Sequence, residues 1–156
     1  MSLILDGTNG LTFNNATTQN SGGKVLQVVN ATSAGQVGTT STSYVTTGVS
    51  ASITPLFSTS KILILFNTNI TNTTPTGQAD LTVYRGATSL AGVLTHYENA
   101  GGSGYSWVPA SVMWLDSPAT TSATTYTIYY KQVVGGTAYI SSGTLTSVFT
   151  LMEVAA

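Results

Sequence analysis

The sequence predicts an all-β protein, an antiparallel two-sheet sandwich of the jelly-roll type that follows an extended N-terminal arm. Short β-branched and aromatic runs recur between clusters of Gly, Ser, Thr and Pro. No stretch carries its apolar residues at the 3.6-residue period of a helix. About eight such runs fit into the 156 residues, which are too few for a propeller, and no repeat indicates a solenoid.

Residues 1–23 are predicted to form the arm. They contain two turn signals, Asp6-Gly7 and Asn9-Gly10, between small apolar groups that are too few to build a core. Because a terminal segment is ordered only where it is tied down, the arm is expected to dock on a partner or a neighbouring subunit, for example by adding a strand to an exposed sheet edge. The candidate anchor residues are the apolar ones, Leu3, Ile4, Leu5, Leu11 and Phe13.

Residues 24–156 are predicted to form the sandwich domain. The Gly135-Gly136 pair predicts a tight hairpin turn, because such turns require positive φ at both central residues. Pro109 falls inside a run, which indicates an edge strand or a bulge, since proline donates no hydrogen bond to a ladder. The expected strands are 25–30, 43–53, 61–69, 80–85, 107–115, 125–133, 137–141 and 144–154.

Two of these strands carry apolar residues on both faces, whereas a sandwich strand needs only one apolar face. Since monomers rarely expose large contiguous apolar surfaces, the second faces are expected to lie against another subunit of a homo-oligomer. The alternative is that the chain's own loops cover them. In 107–115 the two faces are Val108, Ala110, Val112 and Trp114 against Trp107, Pro109, Met113 and Leu115; in the last strand they are Val148, Met152 and Val154 against Leu145, Phe149 and Leu151.

Charge is unusually scarce in this chain. Charged residues make up 6% of it and the net charge is −1, against about 25% charged residues in a typical soluble domain. Because the four cationic side chains are scattered singly, neither nucleic acid nor a membrane is expected as a partner. A nearly neutral surface also gives little colloidal repulsion, which favours assembly. There are no cysteines, so neither disulfides nor thiolate metal sites are expected.

The inventory of catalytic side chains is small. His96 is the single histidine, and a triad of His96, Asp116 and a serine lacks any nucleophile motif. His96 and Glu98 alone offer too few ligands for a metal ion. The chain is therefore predicted not to be an enzyme and to hold neither a metal nor a cofactor.

The segment 96–107 mixes aromatic residues with several glycines. Exposed aromatic rings on a loop of a rigid β scaffold suit the recognition of sugars. The alternative is that these aromatics pack at a subunit interface or cap the core. The candidate glycan-binding residues are His96, Tyr97, Tyr105 and Trp107.

Three stretches carry a resemblance to a known family. They are 2–13 (SLILDGTNGLTF); 24–29 (KVLQVV) through 42–48 (TSYVTTG) to 60–64 (SKILI); and 115–126 (LDSPATTSATTY) with the chain end 151–155 (LMEVA). In these stretches the chain resembles small β-rich domains of bacteriophage tail fibres, head fibres and related virion surface proteins.

The resemblance implies a homotrimer carried on the virion. The start of the chain has no signal peptide, so synthesis in the host cytoplasm is expected. No shaft or coiled coil follows the arm, which spans under about 80 Å when extended. We therefore expect a capsid decoration or cement protein, or a short head fibre, attached to other virion proteins through the arm. The alternative is a short tail fibre or receptor-binding tip that recognises a host surface glycan.

Overall fold

The computed structural model describes residues 24–99, 106–141 and 145–155, together with the backbone of 4–6, 10–12 and 18–19. Regular structure in these residues consists of β-strands, which confirms the all-β prediction. The strands are β1 Ile4–Asp6, β2 Gly10–Thr12, β3 Thr18–Gln19, β4 Val25–Ala34, β5 Val37–Thr39, β6 Val45–Ile53, β7 Lys61–Asn72, β8 Gln78–Arg85, β9 Thr88–Ser89, β10 Thr95–Glu98, β11 Val108–Asp116, β12 Thr124–Val134, β13 Ala138–Ile140 and β14 Thr146–Val154.

Eight of these strands form a sandwich of two antiparallel sheets. The first sheet has the order β4-β14-β7-β11, and β13 and β5 extend it beside the end of β7. The second sheet has the order β10-β8-β12-β6, with β9 beside β8. Of the connections between successive strands of these eight, only the one from β8 to β10 stays within a sheet, and the others cross from one sheet to the other. This wrapping is the jelly-roll arrangement that the sequence predicted.

All eight predicted strands are present, and the largest difference in their bounds is that β4 extends to Ala34. Within residues 24–156, three further strands, β5, β9 and β10, were not predicted. Of these, β10 belongs to the second sheet and lies partly within the segment that was predicted to be a recognition loop.

The turn at Gly135 and Gly136 joins the two sheets. Both residues have positive φ, 51° and 69°, as the sequence predicted. The predicted hairpin is nevertheless wrong, because β12 pairs with β6 and β8 whereas β13 pairs with β5 and β7. The local backbone requirement is met, but the chain leaves one sheet and enters the other.

The core lies between the sheets and is built from alternate residues of the long strands. Phe66 on β7 and Phe149 on β14 meet edge to face, with ring centroids 6.0 Å apart. From the second sheet, Tyr126 and Tyr130 on β12 fill the opposite side and are at most 1% exposed. Pro109 lies on β11, which within the described part of the chain pairs with β7 alone, so the predicted edge strand is confirmed.

The N-terminal segment contains a small antiparallel meander in the order β1-β2-β3. Both predicted turn signals fall around the connection from β1 to β2, so the described backbone folds back on itself there instead of running extended throughout. Among the candidate anchors, Ile4, Leu5 and Leu11 lie on this backbone. Leu3 and Phe13 lie outside the described residues.

A candidate assembly surface

The outer surface of the first sheet carries an apolar row across four strands. Met152 on β14 lies opposite Val28 on β4 and opposite Leu63 on β7. Leu63 in turn lies opposite Leu115 on β11. Since side chains directly opposed in an antiparallel ladder point to the same face, these four form one continuous stripe.

A second row lies beside this stripe, where Leu65 on β7 is opposite Met113 on β11. We refer to the two rows together as the outer apolar face. Its members are Val28, Leu63, Leu65, Met113, Leu115 and Met152.

Three members of the outer apolar face are strongly exposed. Met113 is 69% exposed, Val28 55% and Leu115 50%, whereas Ile62 and Ile64, which point inward from β7, are fully buried. Within the described part of the chain no loop covers these three side chains, so there the alternative that the chain's own loops cover the second face is wrong. The face is available to another molecule.

A shallow depression adjoins this face at the end of the sheet where β14 begins. Its volume is about 230 Å³, and Pro109 and Leu145 line it together with Asn67 and Asn69. Leu145 is 53% exposed. The side chains of Asn67 and Ser111, which are hydrogen-bonded to each other, lie between this depression and the outer apolar face.

At the end of the sheet where β14 finishes, a buried carboxylate holds an apolar turn. Leu56 and Phe57, in the connection from β6 to β7, are 60% and 57% exposed. Their backbone N–H groups donate to Oε1 of Glu153 at 2.8 and 3.4 Å, and Gln27 Nε2 donates to Oε2 at 2.5 Å. Gln27 Nε2 also donates to the carbonyl of Thr54 at 2.7 Å, so the turn is fixed from both sides.

These hydrogen bonds decide the ionisation of Glu153. Burial by itself raises the pKa of this carboxyl, but the side chain of Gln27 and the N–H groups of Leu56 and Phe57 outweigh it and lower the pKa below its ordinary value. Glu153 is fully buried at the end of β14 and therefore acts as an anionic acceptor inside the fold.

Acidification should lower the free energy of unfolding of the wild-type protein, partly through Glu153. Because its folded-state pKa lies below the unfolded-state value, its stabilisation is complete above the ordinary glutamate pKa and is lost as the pH falls toward the folded-state pKa. Glu153→Gln should cost about 2 kcal/mol at neutral pH and should lose less additional stability between roughly pH 5 and pH 3. Urea unfolding at both ends of that range measures this; parallel losses in the two proteins would contradict it.

The outer surface of the second sheet is polar and aromatic instead. Asp80 on β8 is 4% exposed; its Oδ1 lies 2.5 Å from His96 Nδ1, and its Oδ2 lies 3.3 Å from Lys131 Nζ. Tyr84 and Tyr129 stack with ring centroids 4.0 Å apart. The two sheets therefore present chemically different surfaces, and the apolar one is on the first sheet.

The four candidate glycan-binding residues are not brought together on one surface. His96 points outward from β10, and its side chain is 45% exposed. Tyr97, the next residue, points inward and is 5% exposed, with its hydroxyl donating to the carbonyl of Ser106 at 3.2 Å. Since alternate strand residues face opposite sides, the ring of Tyr97 belongs to the core and is unavailable to a sugar. Trp107 is partly buried, and Tyr105 lies outside the described residues.

A second buried carboxylate, Asp116, ties the two sheets together. Its oxygens accept hydrogen bonds from Arg85 Nη1 at 2.8 and 3.1 Å and from the Tyr126 hydroxyl at 2.7 Å. Burial and the hydrogen bond to Asp116 raise the pKa of Tyr126, so its hydroxyl remains a donor. Asp116 therefore bonds Arg85 and Tyr126 while His96 contacts Asp80, and no His96–Asp116 pair forms.

The sequence offers little signal for either carboxylate network. Glu153 and Gln27 are 126 positions apart, and Asp116 and Arg85 are 31 apart. In the ranges that the structure describes, no group of three or more His, Cys, Asp or Glu side chains is placed to hold a metal ion. The same ranges contain no helix with the length and apolarity to cross a membrane.

Comparison with known proteins returns only weak structural likeness. No protein-family model and no curated protein matches the sequence. The match to the crystal structure of the infectious bursal disease virus VP2 subviral particle covers 83% of this chain and 37% of the solved chain. The sequence identity is 13% and the TM-score is 0.42. The match to the structure of the infectious bursal disease virus Gx strain covers 99% of this chain and 44% of the solved chain, at 11% identity and a TM-score of 0.42.

This chain thus spans about two fifths of the length of these two solved chains. At such low identity and TM-score, the likeness carries no information on function.

Proposed function

We propose that this protein is a structural subunit of a bacteriophage virion surface, a homotrimeric capsid decoration or cement protein or a short head fibre attached through its N-terminal arm. The observation that carries the proposal is the outer apolar face, which leaves six aliphatic side chains on one surface of a nearly uncharged protein. The resemblance of the arm and of the segment 115–126 to phage fibre domains supports the virion location and the trimer.

A second copy of the chain is the occupant that best fits the outer apolar face. Burying aliphatic side chains is favourable by about 25 cal/mol per Å², and the centre of a homo-oligomer interface is depleted of charge and enriched in Met. Met113 and Met152 lie on this face, and the charged side chain next to it, Lys61, stands at the end of β7. Closed rings of identical copies are the usual outcome of such self-association.

Placing charge on the outer apolar face should dissociate the oligomer. In Met113→Lys/Leu115→Lys, two exposed aliphatic side chains become ammonium groups that would be desolvated in the interface. Substituting two central interface positions should raise the dissociation constant of the oligomer by about 100-fold or more. Sedimentation velocity should show an assembly of three chains, or of a multiple of three, for the wild type and no such assembly for the variant.

The matched control is Ser50→Lys/Ser52→Lys, two exposed positions on β6 in the other sheet. It adds the same charge away from the outer apolar face and should keep the oligomer. A wild-type protein that sediments as a monomer at micromolar concentration would contradict the assembly proposal. So would equal dissociation of both lysine variants.

Attachment to the virion should depend on the arm. Deleting residues 2–20 removes the candidate anchors and should leave a folded oligomer, because the jelly-roll core is built from residues that follow Lys24. A low-resolution map of particles with the full chain should show regular density on the capsid, and this density should be lost with the truncated chain. Density confined to the tail would instead favour a tail fibre, and normal decoration by the truncated chain would show that the arm is not the anchor.

A further inference from the structure

We infer that β4 is a contact surface for a second copy of this chain, with the two β4 edges paired antiparallel about a two-fold axis. This contact goes beyond the proposed function and does not involve burying the outer apolar face. In a homotrimer held by that face, a two-fold contact at β4 joins trimers in pairs.

The argument begins from how the other sheet edges are protected. An edge strand exposes unpaired N–H and C=O groups that attract another strand, and proteins block this with short strands, charge, proline or bulges. β10 has four residues, among them His96 and Glu98. β11 carries Pro109, and the carbonyl of Ser111 on its open side accepts a hydrogen bond from the hydroxyl of Thr95.

The edge strand β6 is protected in a different way. Its register with β12 is interrupted, so that residues 47–49 face the single residue Ile128. Gly48 within this bulge has a φ of 79°. A bulge of this kind bends and twists the strand, which prevents regular pairing with a further strand.

None of these protections is present along β4. It has ten residues, Val25–Ala34, without a charged residue or a proline. Its one irregularity lies at its start, where Val25 pairs with Val154 and Gln27 with Glu153, and the register with β14 is regular from 27 to 34. Within the described part of the chain, β14 is the only strand paired with β4. Eight regular, neutral residues therefore present an open edge.

A second copy fits this edge because an uncharged edge is complementary to itself. Two-fold contacts use the same surface on both partners, so a charge on β4 would face its own copy. In such a pair the two first sheets become one continuous sheet. Val28, which lies on β4, then stands next to the corresponding strand of the partner, and the two outer apolar faces become contiguous.

The symmetry also fixes which residues meet. Residues opposed in an antiparallel ladder point to the same face, and a two-fold axis normal to the sheet preserves that face. One residue near the middle of the strand must therefore lie opposite its own copy, at a Cα separation of about 4.5–5.5 Å. This separation suits a disulfide. If the axis lies at any residue from 30 to 32, a pair drawn from Asn30 and Thr32 is directly opposed.

The test uses the absence of native cysteines in the full-length chain. Asn30→Cys/Thr32→Cys places thiols on the outward side of β4, where both residues are exposed. Mild oxidation should give a covalent dimer of twice the chain mass on a denaturing gel. The control Ser50→Cys/Ser52→Cys places equally exposed thiols on the bulged edge β6 and should stay monomeric on the same gel.

Hydrogen exchange identifies the strand that is protected. In the native assembly the amides of 27–34 that point away from β14 should exchange on the order of tenfold more slowly than in Thr32→Lys, where like charges lie near each other across the two-fold axis. Equal covalent dimer in both cysteine variants, or fast exchange along β4 in the native assembly, would overturn the inference. Slow exchange without the disulfide would mean that a different strand occupies the edge, and this also overturns it. Failure here leaves the outer-face oligomer intact, so the two proposals fail separately.

Discussion

Gly77→Ala should destabilise the protein by about 3 kcal/mol or more, because no space exists for a methyl group at this position. A Cβ on Gly77 would lie 2.1 Å from both Cγ and Oδ1 of Asn72. Asn72 is fully buried; its Oδ1 accepts from the N–H of Thr74 at 3.0 Å, and its Nδ2 donates to the carbonyl of Gln78 at 3.3 Å. To admit the methyl group, the amide must move and leave buried polar groups without partners.

The position matters because several sheet crossings meet there. Gly77 lies in the connection from β7 to β8, and its carbonyl accepts a hydrogen bond from the N–H of Asn99 at 2.9 Å. The turn at Gly136 packs against the same segment, since a Cβ there would lie 2.1 Å from Oγ1 of Thr74 and 2.5 Å from Oδ1 of Asn72. Displacing Asn72 therefore disturbs two connections that cross between the sheets, the one from β7 to β8 and the one from β12 to β13.

The matched control for this prediction is Gly92→Ala. A Cβ on Gly92 meets no atom within 4 Å, so this variant should change stability by less than about 0.5 kcal/mol. Urea unfolding followed by tyrosine and tryptophan fluorescence gives both values. Similar midpoints for the wild type and Gly77→Ala would show that the connection adapts and that the packing argument is mistaken.

The long strands were predictable because their signal is local. Alternation in runs such as 61–69 and 125–133 depends on residues two positions apart, and the structure places a strand at each predicted run. The second apolar face of β11 was predictable for the same reason, since Met113 and Leu115 alternate with Val112 and the strand has only two sides. Which side faces solvent follows from the register with β7, which the sequence does not contain.

Short strands and sheet membership depend on distant residues. β9 has two residues and β10 has four, mostly polar, so neither carries a usable pattern, and both are defined by pairing with β8. The Gly135-Gly136 pair also shows that local sequence does not predict which sheet a strand joins. Its positive φ values follow from the residue type, but whether the next strand continues the same sheet is decided by β5 and β7.

Candidate site residues were the least predictable part. Tyr97 and His96 are neighbours in the sequence, yet one enters the core and the other contacts Asp80, because β10 continues the alternation of the sheet. An aromatic residue in a glycine-rich segment therefore does not identify an exposed ring. The second apolar faces of 107–115 and of the last strand were the more accurate expectation, because they required only alternation.

Asp116→Ala should be the most damaging substitution of a polar side chain outside the turns. It removes the acceptor for Arg85 Nη1 and for the hydroxyl of Tyr126, which is fully buried. Breaking a buried ion pair by removing one partner costs about 3–5 kcal/mol. Since the Arg85 side chain is 32% exposed and partly solvated, the lower end of that range is expected here.

Two further variants separate charge from hydrogen bonding at this site. Asp116→Asn keeps the shape and one acceptor oxygen and should cost less, about 1–2 kcal/mol, while Tyr126→Phe should cost about 1 kcal/mol. Because the carboxylate joins β11 of the first sheet to β8 and β12 of the second, the loss should appear in global unfolding and not in local fraying. If Asp116→Ala and Asp116→Asn unfold at the same urea concentration as the wild type, the network does not hold the sheets together.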